Sequence, residues 1–326
     1  MIMPDTELGI LLLAVLFDIT IGEPPRHLHP VVWMGWVIDQ MDRRIVRRGG
    51  ACDIIRGTGV LATTILLFGI STFLIMEVAG IWPLIEILAG GIILKTTFSY
   101  RYFRDSIKAV LDGLRGGDIE GARSRVSMLV SRETSGLDAP HLVSATIESA
   151  AENLVDGIIA PLLFFAVFGI VGAVIYRVVN TADSMLGYRD SPYRDVGFAS
   201  ARLDDILNFI PARIGGVLIC LACGRGFDVM IEDRKRCTSP NSCYPMGAMA
   251  GGLGIWLEKP GYYRINERGR APDVEDIERC LEVMGIVFLI TIMIGVIHAI
   301  AAGAPAASKS PGARRDARSP MGAKSR

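Results

Sequence analysis

The sequence has few aromatic residues, little charge and no excess of either sign. Aromatic residues make up 7% of its 326 residues and charged residues 21%, and 34 Lys and Arg are matched by 34 Asp and Glu. Without a positive excess, the global charge gives no reason to expect a nucleic-acid partner. The six cysteines are scattered, apart from Cys220 and Cys223 in an apolar run, and this pattern excludes a secreted disulfide framework.

Several motifs of soluble enzymes are also missing. The chain contains no G-x-x-x-x-G-K-[ST] phosphate loop, no G-x-S-x-G nucleophile elbow and no H-E-x-x-H zinc motif. The glycine run 251–254 lacks the preceding strand and the spacing of a dinucleotide-binding loop. No function can therefore be assigned from these motifs.

What is abundant is apolar sequence in long runs, with 51% hydrophobic residues and a mean hydropathy of +0.40. A helix needs about 20 mostly apolar residues to cross a bilayer. The candidate stretches are 58–81, 157–175 and 283–302, then the weaker 84–98 and 206–223, and the short 8–17. Many of the 36 glycines lie in them and would allow close helix packing in lipid. The sequence predicts an all-α, polytopic integral membrane helical bundle with roughly four to six membrane segments and polar helical loops.

The chain is predicted to form a single membrane-embedded domain over 1–302, followed by a disordered basic tail over 303–326. Lys and Arg mark the inner loops of membrane proteins, and here they are concentrated in 23–57 and 95–132. This pattern places the N-terminus outside and both loops inside.

Segment 131–164 combines a helix start with a stripe of acids. Pro140 suits the first turn of a helix. One face of that helix would carry His141, Ala145, Glu148, Glu152 and Asp156. Carboxylates one turn apart repel each other. The stripe therefore indicates either a Mg²⁺ site, which takes carboxylate and phosphate oxygens, or a face that is solvated or paired with arginines.

Segment 176–213 mixes acids and bases beside apolar helices. Its charged residues include Asp183, Asp204, Asp205, Arg177, Arg189, Arg202 and Arg213. Arginine forks bind phosphate, so the pattern suits a phosphorylated, metal-chelated ligand. An ion-paired interface between helices is the alternative, because charges within membranes usually pair.

Two further patterns carry less information. His27 and His29, which follow Asp18, could bind a metal, but an isolated H-x-H is a weak signal. Cys220 and Cys223 have the spacing of a redox or zinc pair, yet no second pair accompanies them. We interpret both as small, buried hydrophobic residues.

Five long segments form a distinctive ordered set. They are FDITIGEPPRHLHPVVWMG (17–35), SRETSGLDAPHLVSATIESAAENLVDGIIAPLLF (131–164), NTADSMLGYR (180–189), ARLDDILNFIPAR (201–213) and SPNSCYPMGAMAGGLGIWLE (239–258). Together they resemble the CobD/CbiB family of integral-membrane adenosylcobinamide-phosphate synthases, over about residues 8–300. Cys237 and the pair Ser242-Cys243 depart from the family's usual pattern, so the role of this loop stays open.

The resemblance implies a carbon–nitrogen ligase of cobalamin biosynthesis. Such an enzyme joins the propionate carboxylate of (adenosyl)cobyric acid to the amine of aminopropanol or its O-phosphate. It is taken to use ATP because this amide formation is uphill, and Mg²⁺ would stabilise the transferring phosphoryl group. The implied partners are the corrinoid, aminopropanol (phosphate), the lipid bilayer and other membrane enzymes of cobalamin assembly, with no nucleic acid. The implied location is the cell membrane, with the active site on the cytoplasmic side.

We assign hypothetical roles to the polar residues of these motifs. The candidate catalytic residues are Glu148, Glu152, Asp204 and Asp205. The candidate Mg²⁺ ligands are Glu148, Glu152, Asp156 and Asp204. The candidate substrate- and phosphate-binding residues are Lys95, Arg132, Arg177, Arg202, Arg213, Asn153 and Asn208. Asp18 and His29 are weaker candidates.

If 131–156 and 176–213 form one site, they must meet on one side of the membrane. We therefore predict that 157–175 is a re-entrant or shallow helix, or that the site lies in a cavity facing the bilayer. A transporter of a small anionic or corrinoid substrate is the main alternative, because intramembrane charges and proline-broken segments also occur there. No inverted repeat is visible between the halves. A scaffold that only recruits other corrin enzymes is a third possibility.

Overall fold

The computed structural model describes residues 4–188 and 193–303. Within them the chain forms thirteen α-helices, a 3-10 helix (Arg26–Leu28), a π-helix (Val155–Ile159) and one two-stranded antiparallel sheet. Residues 304–326 of the predicted tail lie outside the described residues, as does Arg189.

The helices in chain order are α1 (Pro4–Thr20), α2 (Pro30–Asp42), α3 (Ala51–Ala79), α4 (Pro83–Lys95), α5 (Tyr100–Arg115), α6 (Ile119–Ser127), α7 (Ala139–Leu154), α8 (Ala160–Leu186), α9 (Phe198–Leu207), α10 (Phe209–Cys223), α11 (Phe227–Glu232), α12 (Cys243–Leu253) and α13 (Val274–Gly303). The strands are β1 (Leu257–Lys259) and β2 (Tyr263–Ile265). They form a small hairpin between α12 and α13.

The predicted all-α polytopic bundle is confirmed. Three described helical stretches are long and apolar enough to cross a membrane: Ala51–Ala79, Ala139–Leu186 and Val274–Ala302. A fourth exists if α9 and α10, bent by 47° at their junction, count as one span. Large apolar residues point outward from α3 and α13, as expected of surfaces that face lipid instead of water. The predicted single domain over 1–302 stays a prediction.

Glycines allow α1 and α4 to lie side by side and parallel. A Cβ on Gly90 would lie 2.7 Å from the side chain of Ile10, and one on Gly91 would lie 2.8 Å from Leu13. Only the absence of these side chains permits this approach, as is common between helices in membranes. The parallel arrangement brings the two C-terminal ends together, where Lys95 Nζ lies 3.1 Å from Asp18 Oδ1.

The stretch Ala139–Leu186 does not run straight, because the chain folds back at Gly169. Gly169 has φ 68° and ψ −167°. Beyond it, the hydroxyl oxygen of Tyr176 lies 3.3 Å from the carbonyl oxygen of Asp156, and its ring stacks on Phe164 with centroids 5.0 Å apart. Twenty residues of continuous helix would separate Asp156 from Tyr176 by about 30 Å. The segment is thus a helical hairpin, hereafter the hairpin, whose two polar ends meet as the shared-site prediction requires.

We expect the substitution Gly169→Ala to destabilise the hairpin, because an L side chain rarely adopts this backbone conformation. The expected cost is about 1–3 kcal/mol in the free energy of unfolding. Thermal unfolding of the purified protein in detergent measures it. Gly59→Ala is the matched control, since Gly59 is helical and a Cβ there would meet nothing within 4 Å. Equal melting temperatures for wild type and Gly169→Ala would contradict the expected strain.

Candidate active site

A cavity of about 240 Å³ lies where the two ends of the hairpin meet α9, and we call it the acidic cavity. Its carboxylates are those of Glu152, Asp156, Asp183, Asp204 and Asp205. Amide and hydroxyl groups are added by Asn208, Thr238, Ser239, Asn241 and Ser242. The π-helix at Asp156 widens the backbone at this point, a deviation often found at functional sites. The hairpin and α9 thus supply five carboxylates to one space, and the loop before α12 adds hydroxyl and amide groups.

Asp204 is oriented by two asparagine side chains. Its Oδ1 accepts a hydrogen bond from Asn180 at 3.3 Å, and its Oδ2 accepts one from Asn208 at 3.0 Å. Asn208 is buried and in turn accepts a hydrogen bond from the Tyr176 hydroxyl at 2.9 Å. Since Asn208 joins α9 to α10, the bend between these helices aims Asp204 into the cavity. Asn208, predicted to bind substrate, lines the cavity and also positions Asp204.

Arg177 contacts Asn180, which in turn bonds to Asp204 in the acidic cavity. Its Nη1 donates to Asn180 Oδ1 at 3.3 Å, and its Nε is buried without a hydrogen-bond partner among the described residues. Arg177 is therefore near the acidic cavity but is not part of its lining, and its predicted role in binding phosphate or substrate stays a prediction.

Glu148 lies in a separate cluster next to the acidic cavity. Its Oε1 accepts hydrogen bonds from Arg132 at 3.0 Å and from Ser144 at 2.8 Å, and its Oε2 accepts one from the Tyr263 hydroxyl at 2.7 Å. Burial, together with the negative charges of Glu148 and Glu152, raises the pKa of Tyr263, so this hydroxyl remains a donor. Glu148 and Arg132 therefore form a buried ion pair in which every carboxylate oxygen is already used.

The four predicted Mg²⁺ ligands are consequently divided. Glu152, Asp156 and Asp204 line the acidic cavity, whereas Glu148 does not. Over residues 4–188 and 193–303, no three His, Cys, Asp or Glu side chains are grouped closely enough to hold a metal ion by themselves. Mg²⁺ usually keeps several waters and takes one or two carboxylates plus substrate phosphates. The carboxylate, amide and hydroxyl oxygens in the lining of the cavity fit that mode of binding.

A second and larger cavity adjoins the acidic one, and we call it the basic cavity. Its volume is about 1,030 Å³, and its cations are Arg194, Arg202, Arg213, Arg234 and Lys235. Gly187, Ala201, Asp205, Thr238 and Ser239 line both cavities. Two of the predicted phosphate-binding residues, Arg202 and Arg213, therefore lie here, next to the predicted carboxylates.

Other candidates lie outside both cavities. Lys95 is buried between Asp18 at 3.1 Å and Glu23 at 2.8 Å. Asn153 donates to the carbonyl and hydroxyl of Ser149 within its own helix. His29 accepts from the backbone of Val31 at the start of α2 and lies 2.8 Å from Glu23.

These four residues are absent from the lining of either cavity. For Lys95, Asn153, Asp18 and His29, the predicted binding or catalytic role stays a prediction that no contact in the structure supports. The Lys95–Asp18 pair joins α4 to α1, whereas the bonds of Asn153 stay within α7 and the bond of His29 caps the start of α2.

Comparison with known proteins agrees with the ordered motifs. A family profile described as CobD/Cbib protein matches residues 11–284. The chain belongs to the CobD/CbiB family. The matched range includes both cavities and the Arg132–Glu148 pair.

Curated CobD/CbiB relatives resemble this chain over most of its length. A probable cobalamin biosynthesis protein CobD of Pyrococcus furiosus is 41% identical, over 87% of this chain and 96% of the relative. One of Thermococcus kodakarensis is 45% identical, over 85% and 90%. The cobalamin biosynthesis protein CobD of Dehalococcoides mccartyi is 38% identical, over 79% and 86%. No solved structure matches the chain.

Several residues of this CobD/CbiB site are not among those predicted. Asn180, Ser239 and Asn241 lie inside the quoted motifs, so their place in the ordered set was a usable signal. Tyr263 gives no such signal, because it lies outside the motifs and contacts Glu148 across 115 residues of sequence.

The loop that separates the two cavities is closed by a disulfide between Cys237 and Cys243. The loop is also anchored by Asn241, whose amide donates to the Asp205 carbonyl at 2.8 Å. The departures from the family pattern at Cys237 and Cys243 thus form one covalent link. Cys220 and Cys223 remain free thiols, and Cys220 is buried, in agreement with their predicted apolar role.

The Glu23–Lys95 pair makes stability dependent on pH. Burial would raise the pKa of Glu23, but the hydrogen bond with His29 and the charge of Lys95 outweigh it and lower the pKa from 4.5 to about 2. A carboxylate with a depressed pKa stabilises the fold above its unfolded pKa and loses that contribution as pH falls towards its folded pKa.

We therefore expect Glu23→Gln to lower the melting temperature at pH 7, with a difference from wild type that shrinks between pH 4.5 and pH 2. Melting curves in detergent at several pH values measure this difference. Glu120→Gln, at a side chain 83% exposed, is the control and should have little effect at any pH. A Glu23→Gln difference that stays constant down to pH 3 would contradict the assignment.

Proposed function

We propose that this chain acts in cobalamin biosynthesis by joining a corrin propionate to the amine of aminopropanol or its O-phosphate, with consumption of ATP. Two observations support the proposal: membership of the CobD/CbiB family with relatives named for cobalamin biosynthesis, and the shared wall between the acidic and basic cavities. The shared wall supports the proposed use of ATP, because carboxylates and guanidiniums that lie side by side can bind a metal-bound phosphate. No observation favours the transporter.

The proposed reaction has two balanced steps. A corrin carboxylate oxygen attacks the γ-phosphorus of ATP, and the bond between that phosphorus and the oxygen it shares with the β-phosphate breaks. ADP departs, and the corrin carries an acyl phosphate. The amine nitrogen then attacks the acyl carbon, inorganic phosphate departs and a base takes the amine proton. Splitting the reaction in this way turns an unreactive carboxylate into a good acyl donor.

The residues divide these tasks by position. Asp204 is our proposed general base, because Asn180 and Asn208 hold its carboxylate towards the cavity. Glu152 and Asp156 would hold Mg²⁺, which when bound neutralises charge on the phosphoryl oxygens. Arg177 and Arg202 would add positive charge near the transferring group. The sequence predicts direct roles for Glu148 and Arg132. We instead propose that this buried pair holds the part of α7 next to the acidic cavity in position.

We place this site at the cytoplasmic side of the cell membrane. Gly50 of the first arginine-rich loop donates to Asp195 in the basic cavity, and Arg132 at the end of the second pairs with Glu148 on α7, so both loops lie beside the site. Lys- and Arg-rich loops face the cytoplasm, and ATP is a cytoplasmic substrate. Other membrane enzymes of cobalamin assembly are proposed partners in the same bilayer.

The purified chain in proteoliposomes, supplied with cobyric acid, Mg²⁺ and ATP, tests the reaction. Parallel reactions contain aminopropanol or its O-phosphate as the amine. Mass spectrometry should show a corrinoid heavier by the amine minus water, together with one ADP per product. Uptake of unmodified corrinoid would instead identify a transporter. Absence of both product and uptake would favour a scaffold that only recruits other corrin enzymes.

A further inference from the structure

Among the described residues, the lining of the basic cavity carries more cations than carboxylates. Five cations line it against the carboxylates of Asp195 and Asp205. Asp195 is already engaged, since it accepts a hydrogen bond from the backbone N–H of Gly50 at 2.6 Å. Within the part of the chain that the structure describes, none of the five cations forms an ion pair. Such an excess in a concave space attracts an anionic ligand.

Aromatic rings hold two of these guanidiniums in place. Arg213 lies 3.5 Å from the ring centre of Phe209 and 4.3 Å from that of Tyr244, and Arg202 lies 5.5 Å from that of Phe198. Cation–π contacts orient a guanidinium without using its charge on a carboxylate. Tyr188, Phe198 and Tyr244 also line the cavity, and aromatic rings are the groups on which a planar ligand stacks.

The size and position of the cavity narrow the choice of anion. Its volume of about 1,030 Å³ is much larger than a three-carbon amino alcohol phosphate requires. Thr238 and Ser239 lie on the wall shared with the acidic cavity, so a long polyphosphate could extend from the cations towards the carboxylates. A nucleoside triphosphate has the required features: a planar base, a negative chain and terminal phosphates that bind Mg²⁺.

We propose that the basic cavity is the nucleoside triphosphate site, with the base among the aromatic rings and the terminal phosphate at the Thr238–Ser239 wall. The proposal rests on the proposed function for its choice of nucleotide. It adds Arg194, Arg234 and Lys235, which no motif singled out, to the groups that bind phosphate.

Binding of a fluorescent, non-hydrolysable ATP analogue with Mg²⁺ to the full-length protein in detergent tests this site. The double variant R202Q/K235Q removes two exposed cations that make no ion pair among the described residues, so its fold should be retained. We expect its Kd for the analogue to rise at least tenfold. Arg43→Gln, whose side chain is 72% exposed and paired with Asp39 on α2, is the matched control and should bind like wild type.

The coupling assay separates this inference from the proposed function. R202Q/K235Q should raise KM for ATP at least tenfold while KM for cobyric acid stays within twofold of wild type. If wild type makes product and the double variant keeps both its Kd and its KM for ATP, the cavity assignment is wrong and the function stands. If the analogue binds as expected but wild type makes no product, the function is wrong and the site stands.

Two further outcomes would overturn the site. One is absence of analogue binding to wild type. The other is binding of aminopropanol O-phosphate that R202Q/K235Q weakens at least tenfold while the Kd for the analogue stays unchanged, which would mean that the smaller phosphate occupies the cavity.

Discussion

Replacing Asp204 by Asn should reduce the rate of corrinoid coupling by about 10²- to 10⁴-fold, the range expected for loss of a general base. Asn keeps the size of the side chain, and its oxygen can still accept a hydrogen bond from Asn180 or Asn208, although its NH2 group cannot accept from the other, so the cavity should keep its shape. It cannot, however, take a proton from the attacking amine.

Initial rates of product formation in proteoliposomes measure the effect of Asp204→Asn. The control is Asp112→Asn, at an exposed position on α5 away from both cavities. The melting temperatures of both variants should match wild type, which separates a chemical defect from unfolding. Coupling by Asp204→Asn at the wild-type rate would exclude Asp204 as the base.

Replacing Arg132 by Met should destabilise the protein by about 3–5 kcal/mol, because removing one partner of a buried ion pair leaves the other charge uncompensated. Arg132 and Glu148 have side chains only 12% and 5% exposed. Ser144 and Tyr263 would still donate to Glu148, but they carry no positive charge.

SDS titration in mixed micelles measures the free energy of unfolding of Arg132→Met. The double variant R132M/E148M should recover much of the loss, since it removes both charges together. Arg115→Gln is the control, because its pair with Glu278 is exposed on both sides and exposed pairs contribute little. A double variant less stable than Arg132→Met would show that Glu148 has a stabilising role independent of Arg132.

The acidic stripe shows how far periodicity predicts a site. Pro140 lies in the first turn of α7, as the sequence predicts. Asp138 is the N-cap of this helix. Glu152 and Asp156 share the predicted face and both reach the acidic cavity. Glu148 shares that face too, but it lies about 12 Å along the helix from Asp156. At that distance Glu148 lies beyond the cavity and contacts Arg132 and Tyr263 instead. Residues on the same helical face therefore do not all belong to the same site.

The basic residues show the same limit. Arg202 and Lys95 are both cations next to apolar helices in the sequence. Arg202 lines an open cavity, whereas Lys95 is buried against Asp18 and Glu23. Residue type and neighbouring hydropathy are alike in the two cases, and only the three-dimensional partners differ.

The sequence by itself determined that this chain is helical and embedded in a membrane, and its ordered motifs pointed to the CobD/CbiB family. These properties depend on hydropathy, on periodicity and on short segments, all of which are local along the chain. Tertiary structure alone decided that the chain turns back at Gly169, that Cys237 bonds to Cys243, and which charges face a cavity. The reason is physical: a charge near lipid must find a partner or a polar space, and its partner can lie 115 residues away, as Tyr263 does from Glu148.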